Sequence, residues 1–210
     1  MKKFIISLVL LLMILACATA CGKKPTPTPT PDPGTQPNPP ASASVYEVLN
    51  GLADKNYASV KLSVATVTGG IRLAANYALT QNQVTYSVEQ ICKLPTSGDF
   101  SSLPEDYKIT LTGTAAVNGN KVVLDGAEVS IPDYNELAGN FDFAKENFAN
   151  VSEKSGSFAA DVISPSAFCD ADGVSDMKVL VAYSEAALNT VTVTYKTAIS
   201  EVTATYEFVG

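Results

Sequence analysis

Two stretches near the end of the chain indicate the fold class, Val191-Thr-Val-Thr-Tyr195 and Val202-Thr-Ala-Thr-Tyr-Glu-Phe208. In both, apolar residues alternate with polar ones, mostly threonine, which is the period-two pattern of a β-strand with one buried and one wet face. About eight or nine strands are expected in all, and their clear alternation predicts an antiparallel sheet. The other expected strand segments lie at 60–64, 71–79, 84–88, 107–117, 122–124, 158–162 and 179–183, and 129–131 is a weaker candidate for a further strand.

Turn residues separate several of these segments. Gly69-Gly70 and Asn118-Gly119-Asn120 predict tight hairpins, because glycine and asparagine tolerate the positive φ that such turns need. Residues 80–83 predict a further turn between two strands. The strands are therefore expected to follow one another as a meander.

Two short segments have helical spacing. Ser44 and Glu47 predict a capping box, and apolar residues recur at helical spacing from there to about Ala53. A second helix is predicted over 141–149. Because two short helices cannot cover the apolar side of so many strands, we expect an α+β fold, mostly antiparallel β, in which a strongly curved sheet (a half-barrel) packs over one or two short helices.

Residues 1–21 have the features of an export signal. A basic start precedes an apolar run at 4–16, which is shorter than the roughly 20 residues that span a bilayer. Small residues then lead into Cys21, a pattern that resembles bacterial lipoprotein signals, in which the cysteine is acylated and becomes the mature N-terminus. Cys17 is the alternative acylation site, and an ordinary cleaved signal is the other interpretation. We expect an exported protein, lipid-anchored to the cell envelope at the outer face of the cytoplasmic membrane or at the outer membrane.

Residues 22–44 predict an extended tether. Proline stands at every second position from 25 to 33, which prevents helix formation and favours polyproline II. At about 3.1 Å per residue the tether would reach roughly 70 Å. Residues 45–210 are then expected to form a single globular domain.

The composition argues against several functions. The 210 residues include no His and no Trp and carry a formal net charge of −7. Without an imidazole the usual catalytic triads and His-ligated metals are excluded, and an acidic chain is a poor partner for nucleic acid. We therefore expect no enzyme activity, no catalytic residues, no cofactor and no metal.

Clustered carboxylates are the remaining candidates for a chemical site. Asp170, Asp172 and Asp176 resemble a calcium loop, but the glycine falls at position four and Val181 occupies position twelve, so an acidic turn is favoured. Two further pairs, Glu105-Asp106 and Asp133/Glu136, have the residue types of a glycosidase without evidence of its geometry.

Cys92 and Cys169 are the two cysteines of the expected domain. Export to an oxidising compartment would permit a disulfide between them. The alternative is two separate buried thiols, since free cysteine is among the most buried residue types. The sequence leaves both open.

The layout as a whole resembles a known family. A helix leads into a strand that begins Asn56-Tyr-Ala-Ser-Val-Lys-Leu-Ser-Val64, and Val162-Ile-Ser-Pro-Ser-Ala-Phe168 precedes the closing strands. This is similar to the LolA/LppX-type lipoproteins, which implies a half-barrel whose cavity holds lipid or lipidated protein.

Two functions are therefore expected as alternatives. The first is a lipoprotein that binds a lipid or another hydrophobic or amphipathic ligand on the concave side of the sheet. The second is a surface-tethered structural or interaction domain that binds a protein or polysaccharide partner. The inward tyrosines line a cavity in the first case and form core in the second. The residues expected to line the cavity are Leu73, Tyr77, Tyr86, Ile109, Leu111, Val181, Tyr183, Val193, Tyr195 and Tyr206.

Overall fold

The computed structural model describes residues 43–92, 100–101, 107–123 and 131–210. Ten antiparallel strands form one sheet, and the described helices are short. The strands are β1 (Ser59–Thr68), β2 (Ile71–Thr80), β3 (Gln83–Cys92), β4 (Lys108–Asn118), β5 (Lys121–Val123), β6 (Phe148–Lys154), β7 (Ser157–Val162), β8 (Ser175–Tyr183), β9 (Leu188–Lys196) and β10 (Glu201–Val209). The helices are α1 (Val45–Ala53), α2 (Tyr134–Ala138) and α3 (Pro165–Cys169), with a 3-10 turn at Lys145–Asn147.

The sheet consists of two five-stranded meanders joined in the middle. Its order is β5-β4-β3-β2-β1-β10-β9-β8-β7-β6, so the first and the last strand of the chain are neighbours. In that central pair Leu62 lies opposite Tyr206, and on the other side Leu62 lies opposite Tyr77. The pairing of β1 with β10 therefore joins the first meander of the domain to the last.

The antiparallel, mostly β architecture confirms the expected fold class, and 56% of the described residues lie in strands. The expected strong curvature is wrong. The sheet is open, with β5 and β6 at opposite edges, and it is not strongly curled. Curling is not needed because irregular chain after α2 covers apolar surface that the helices leave free, with Phe141 and Phe143 both buried.

The core lies on one face of the sheet, the inner face, and forms two clusters. The α1 cluster packs Leu49 and Leu52 with a group of phenylalanines over β6 to β9. The α2 cluster packs Leu137 over β1 to β4. Tyr206 packs against both clusters and so joins the two halves of the core.

The first helix begins as predicted. The Ser44 side chain accepts a hydrogen bond from the Glu47 backbone N–H, and the Glu47 carboxylate accepts one from the Ser44 backbone N–H. This capping box satisfies amide groups that have no partner within the helix. No helix in the described part of the chain is long and apolar enough to cross a membrane.

The predicted second helix over 141–149 is wrong. A helix forms earlier, at Tyr134–Ala138, and ends at Gly139 in the left-handed conformation (φ 67°). The following chain is extended, passes through a 3-10 turn and enters β6 at Phe148. Of the predicted strand at 129–131, Ile131 lies outside any strand, and residues 129–130 lie outside the described residues.

Candidate functional site

The residues predicted to line a cavity share the inner face. Register pairs Tyr86 with Tyr77, Tyr77 with Leu62, and Leu62 with Tyr206, so these rings lie in one row across the sheet. The row continues through Val191 to Val181 and Phe158 on β7. The alternation in the sequence therefore placed these side chains on the correct common face.

Eight of these ten side chains pack in or against the core clusters. Ile109 and Leu111 on β4 differ, since 44% and 40% of their surfaces are exposed. The inner face is thus mostly filled by the protein's own helices and loops. The eight are Leu73, Tyr77, Tyr86, Val181, Tyr183, Val193, Tyr195 and Tyr206.

Two of the buried tyrosines are held neutral. Burial, with a smaller contribution from the nearby Glu136 carboxylate, raises the pKa of Tyr77 to about 12. Burial also raises the pKa of Tyr206 far above its usual range, and the neighbouring Cys169 and Glu136 add to that effect. At neutral pH both phenols are protonated core groups and cannot serve as general bases.

The opposite face of the sheet, the outer face, carries short polar side chains. Ser63 is paired in register with Asn76 and with Thr205, and Asn76 is paired with Ser87. The Ser63 hydroxyl donates to Asn76 Oδ1 at 2.9 Å. Thr192 and Thr205 are linked hydroxyl to hydroxyl at 3.2 Å. The middle of this face is therefore uncharged and rich in hydrogen-bonding groups.

A depression of about 470 Å³ lies over these strands. Ser63, Asn76, Thr85 and Ser87 contribute neutral groups to its lining. Lys61 and Glu207 lie beside them, with Lys61 Nζ and Glu207 Oε2 4.0 Å apart and both side chains more than half exposed. We call this the neutral depression. Its lining can donate and accept hydrogen bonds without strong net charge.

A second depression of about 620 Å³, the charged depression, lies over β7 to β10. Its lining includes two ion pairs: Lys196 Nζ is 3.0 Å from Asp176 Oδ2, and Lys178 Nζ is 3.9 Å from Asp161 Oδ1. The hydrogen bond to Asp176 raises the pKa of Lys196. Asp161 also accepts a 2.7 Å hydrogen bond from the Asn150 side chain. Glu201 also lines this depression, so three carboxylates face two lysines and the net charge is small and negative.

The disulfide that the sequence allowed does not form in the structure. Cys92 and Cys169 are both free thiols, and both are partly rather than fully buried. Cys92 ends β3 in register with Ile71, whereas Cys169 ends α3 and packs against the α1 cluster. Burial raises the pKa of the Cys169 thiol to about 12, so it is a poor nucleophile at neutral pH.

The carboxylates have structural contacts. Asp133 and Glu136 form a second capping box at the start of α2, with both hydrogen bonds at 3.0 Å. Asp176 of the acidic turn pairs with Lys196, and no group of three metal-ligating side chains occurs in the described ranges. Glu105-Asp106 and both candidate acylation sites, Cys21 and Cys17, lie outside the described residues.

The sequence of the chain matches no protein-family model and no curated protein. The alternation in the sequence predicted a Thr-rich outer side. It did not predict either depression, because the lining residues come together only through strand register. Alternation in β2 and β10 was the available signal for Asn76 and Glu207.

Proposed function

We propose that this chain is a membrane-anchored, non-catalytic binding domain whose outer face holds a polar partner. One contrast carries the proposal. Most inner side chains that would have lined a ligand cavity are packed as core, while the outer face keeps two depressions of about 470 and 620 Å³. These depressions leave hydrogen-bonding side chains of the outer face accessible to a partner.

The chemistry of the outer face favours a polymer with many neutral polar groups. Hydroxyl and amide groups at Ser63, Asn76 and Ser87 can exchange hydrogen bonds with sugar hydroxyls or with peptide groups. The balanced ion pairs of the charged depression give little net attraction for a strongly charged ligand. The proposed partner class is therefore a polysaccharide or a polar protein surface.

Anchorage is the second half of the proposal. Acyl chains on Cys21, followed by the Pro-rich tether, would hold the domain at the envelope membrane and leave the outer face accessible. Intact-mass measurement of the membrane-extracted protein tests this. We expect the mass of an acylated chain from Cys21, and its loss in Cys21→Ser but not in Cys17→Ser.

The outer face is tested by binding to cell envelopes of the host lacking this protein. The probe is the chain from Gly22 to the end, called here the processed chain. It contains every described element and, because it lacks Cys21, carries no acyl group. We expect saturable binding that Ser63→Arg with Asn76→Arg weakens about tenfold or more, because two guanidinium groups would fill the neutral depression.

A matched control exists on the same chain. Gln81→Arg with Asn82→Arg also replaces two neutral polar side chains by arginine, but in the exposed turn between β2 and β3. It should bind like the parent protein. Equal loss in both variants would reject the neutral depression as the contact. Periodate or protease treatment of the envelopes then distinguishes a polysaccharide partner from a protein partner.

A second candidate function is binding of a hydrophobic or amphipathic ligand on the inner face. It is favoured by the exposure of Ile109 and Leu111, which lie in register with Gln90 and Val88 on β3. Native mass spectrometry of the gently purified chain from Gly22 tests it. A bound species of lipid mass that extracts into organic solvent, and that Leu111→Arg abolishes, would support this candidate.

A further inference from the structure

Two isoleucines project from one end of the sheet. Ile163 and Ile199 are each 61% exposed, the highest values among large apolar side chains in the described part of the chain. Ile163 directly follows β7, and Ile199 lies in the turn between β9 and β10. We call this end, which also includes the β1–β2 turn at Gly69 and Gly70, the loop end.

The backbone around both isoleucines is fixed by hydrogen bonds. The Ile199 and Ser200 N–H groups donate to Thr197 Oγ1 at 3.3 and 3.0 Å. The Ile163 N–H donates to the carbonyl oxygen of the buried residue Asn147 at 2.8 Å. Both apolar side chains are therefore presented outward from well-bonded chain. Val67, 42% exposed at the end of β1, lies in the same region.

The tether enters the domain at this same end. The Tyr46 ring, in the first turn of α1, stacks on Phe148 with centroids 6.2 Å apart. Phe148 pairs in register with Val162, the residue before Ile163. Residues 22–42, about 65 Å long if extended at about 3.1 Å per residue, thus join the domain near one exposed isoleucine.

The charges at this end do not explain a contact. Lys196 is paired with Asp176, and Lys178 is paired with Asp161. Glu201 and Asp172 are also exposed at this end, so it has a small excess of negative charge and no attraction for anionic head groups. A contact made here would therefore depend on the apolar side chains. The interfacial region of a bilayer accepts isolated apolar side chains in this way.

We propose that the loop end inserts Ile163 and Ile199 into the lipid surface of the membrane to which the chain is tethered. This rests on the anchorage in the proposed function. The tether raises the local concentration of the domain at the membrane, so that weak insertion of two side chains suffices. Docking by this end would stand the strands upright on the membrane and leave the outer face open to a partner.

The absence of tryptophan from the chain makes a direct test possible. Ile199→Trp gives a single-tryptophan reporter in the processed chain from Gly22, to which a synthetic lipid is coupled at the N-terminus so that the tether holds the domain at the vesicle surface. We expect its emission to shift to shorter wavelength with phosphatidylcholine vesicles and to be quenched by brominated lipid. Val209→Trp is the matched control, because Val209 is 42% exposed at the opposite end of β10. It should show neither effect.

The second isoleucine is tested in the same reporter. Ile163→Ser should reduce the quenching of the anchored reporter by brominated lipid about tenfold without moving the urea unfolding midpoint, because the side chain is mostly exposed. Absence of any shift in Ile199→Trp, or an equal shift in Val209→Trp, overturns the proposal. A shift that depends on protein concentration without vesicles assigns the loop end to a second copy instead, and also overturns it.

This result is distinguishable from failure of the proposed function. Acylation is read by intact mass, and partner binding is read by the Ser63/Asn76 variant. If acylation is found but the Ile199→Trp reporter does not enter lipid, only the loop-end proposal fails. If lipid insertion is found without acylation, only the anchorage fails.

Discussion

The ring of Tyr86 lies directly over the backbone of Gly113. The two residues are cross-strand partners on β3 and β4, and a Cβ atom on Gly113 would lie 2.2 Å from Tyr86 Oη. Glycine is required here because any larger residue would displace a buried ring. An aromatic ring that covers a cross-strand glycine also replaces the packing that the glycine itself cannot supply.

Gly113→Ala should therefore lower the free energy of unfolding by about 1–3 kcal/mol, the usual range for forced overpacking. Urea denaturation measures it. Tyr86→Val removes the ring. Gly113→Ala should therefore cost less free energy of unfolding in the Tyr86→Val chain than in the parent chain, which gives a non-zero coupling energy. Gly51→Ala is the control, since nothing lies within 4 Å of its Cβ position in α1, and it should stabilise the protein by about 0.5–1 kcal/mol.

A second glycine prediction concerns Gly139 at the end of α2. Its φ is +67°, and an added Cβ would lie 2.8 Å from Tyr206 Cδ1. Gly139→Ala should cost more than Gly69→Ala, which has a similar φ of +53° but open space around it. We expect Gly69→Ala to cost about 1 kcal/mol and Gly139→Ala to cost at least twice as much. Equal urea midpoints for the two variants would contradict the packing of Tyr206 against Gly139.

The capping role of Asp133 gives a third prediction. Asp133→Ala should reduce the unfolding free energy by about 1 kcal/mol because the Glu136 backbone N–H loses its acceptor. Asp133→Ser should retain most of the stability, since a serine hydroxyl can also cap a helix. If the carboxylate itself contacted the partner, Asp133→Ser would lose envelope binding while preserving the urea midpoint.

Alkaline pH should destabilise the fold. The pKa of Tyr77 rises from 10.0 to about 12 and that of Cys169 from 9.0 to about 12, so the unfolded chain loses these protons first. The stability that these two raised pKa values contribute is fully present below about pH 9 and declines as the pH rises toward 12. The urea midpoint should thus fall between about pH 9 and 11.

Tyr77→Phe provides the control for that pH dependence. This variant has no phenol to titrate, so its unfolding free energy should fall less steeply above about pH 10 than that of the parent chain. An identical slope in the two proteins would show that Tyr77 keeps its ordinary pKa in the fold.

Much of the fold could be predicted from local patterns. Alternation identified most strands, Gly69-Gly70 identified a hairpin, and Ser44 with Glu47 identified the start of α1. These features depend on residues close together in the chain. The pairing of β1 with β10 depends on residues about 140 positions apart and has no local signal.

The wrong predictions have physical causes. Phe141 and Phe148 have helical spacing, but Gly139 ends α2 before them. Their rings are buried in the core although the chain that carries them is not an α-helix. The sheet did not need to curl because this irregular segment covers it. The candidate site was missed for a different reason, since Ser63, Asn76 and Ser87 meet only after strand register is set.

A single envelope-binding assay compares the outer and inner faces of the sheet as recognition surfaces. The processed chain, the Ser63→Arg/Asn76→Arg variant of the outer face and the Leu111→Arg variant of the inner face are titrated against the same host envelopes. We expect the outer-face variant to bind at least about tenfold more weakly than the parent, and Leu111→Arg to bind like the parent. Loss of binding in Leu111→Arg, with the outer-face variant unchanged, would contradict it and assign recognition to the inner face.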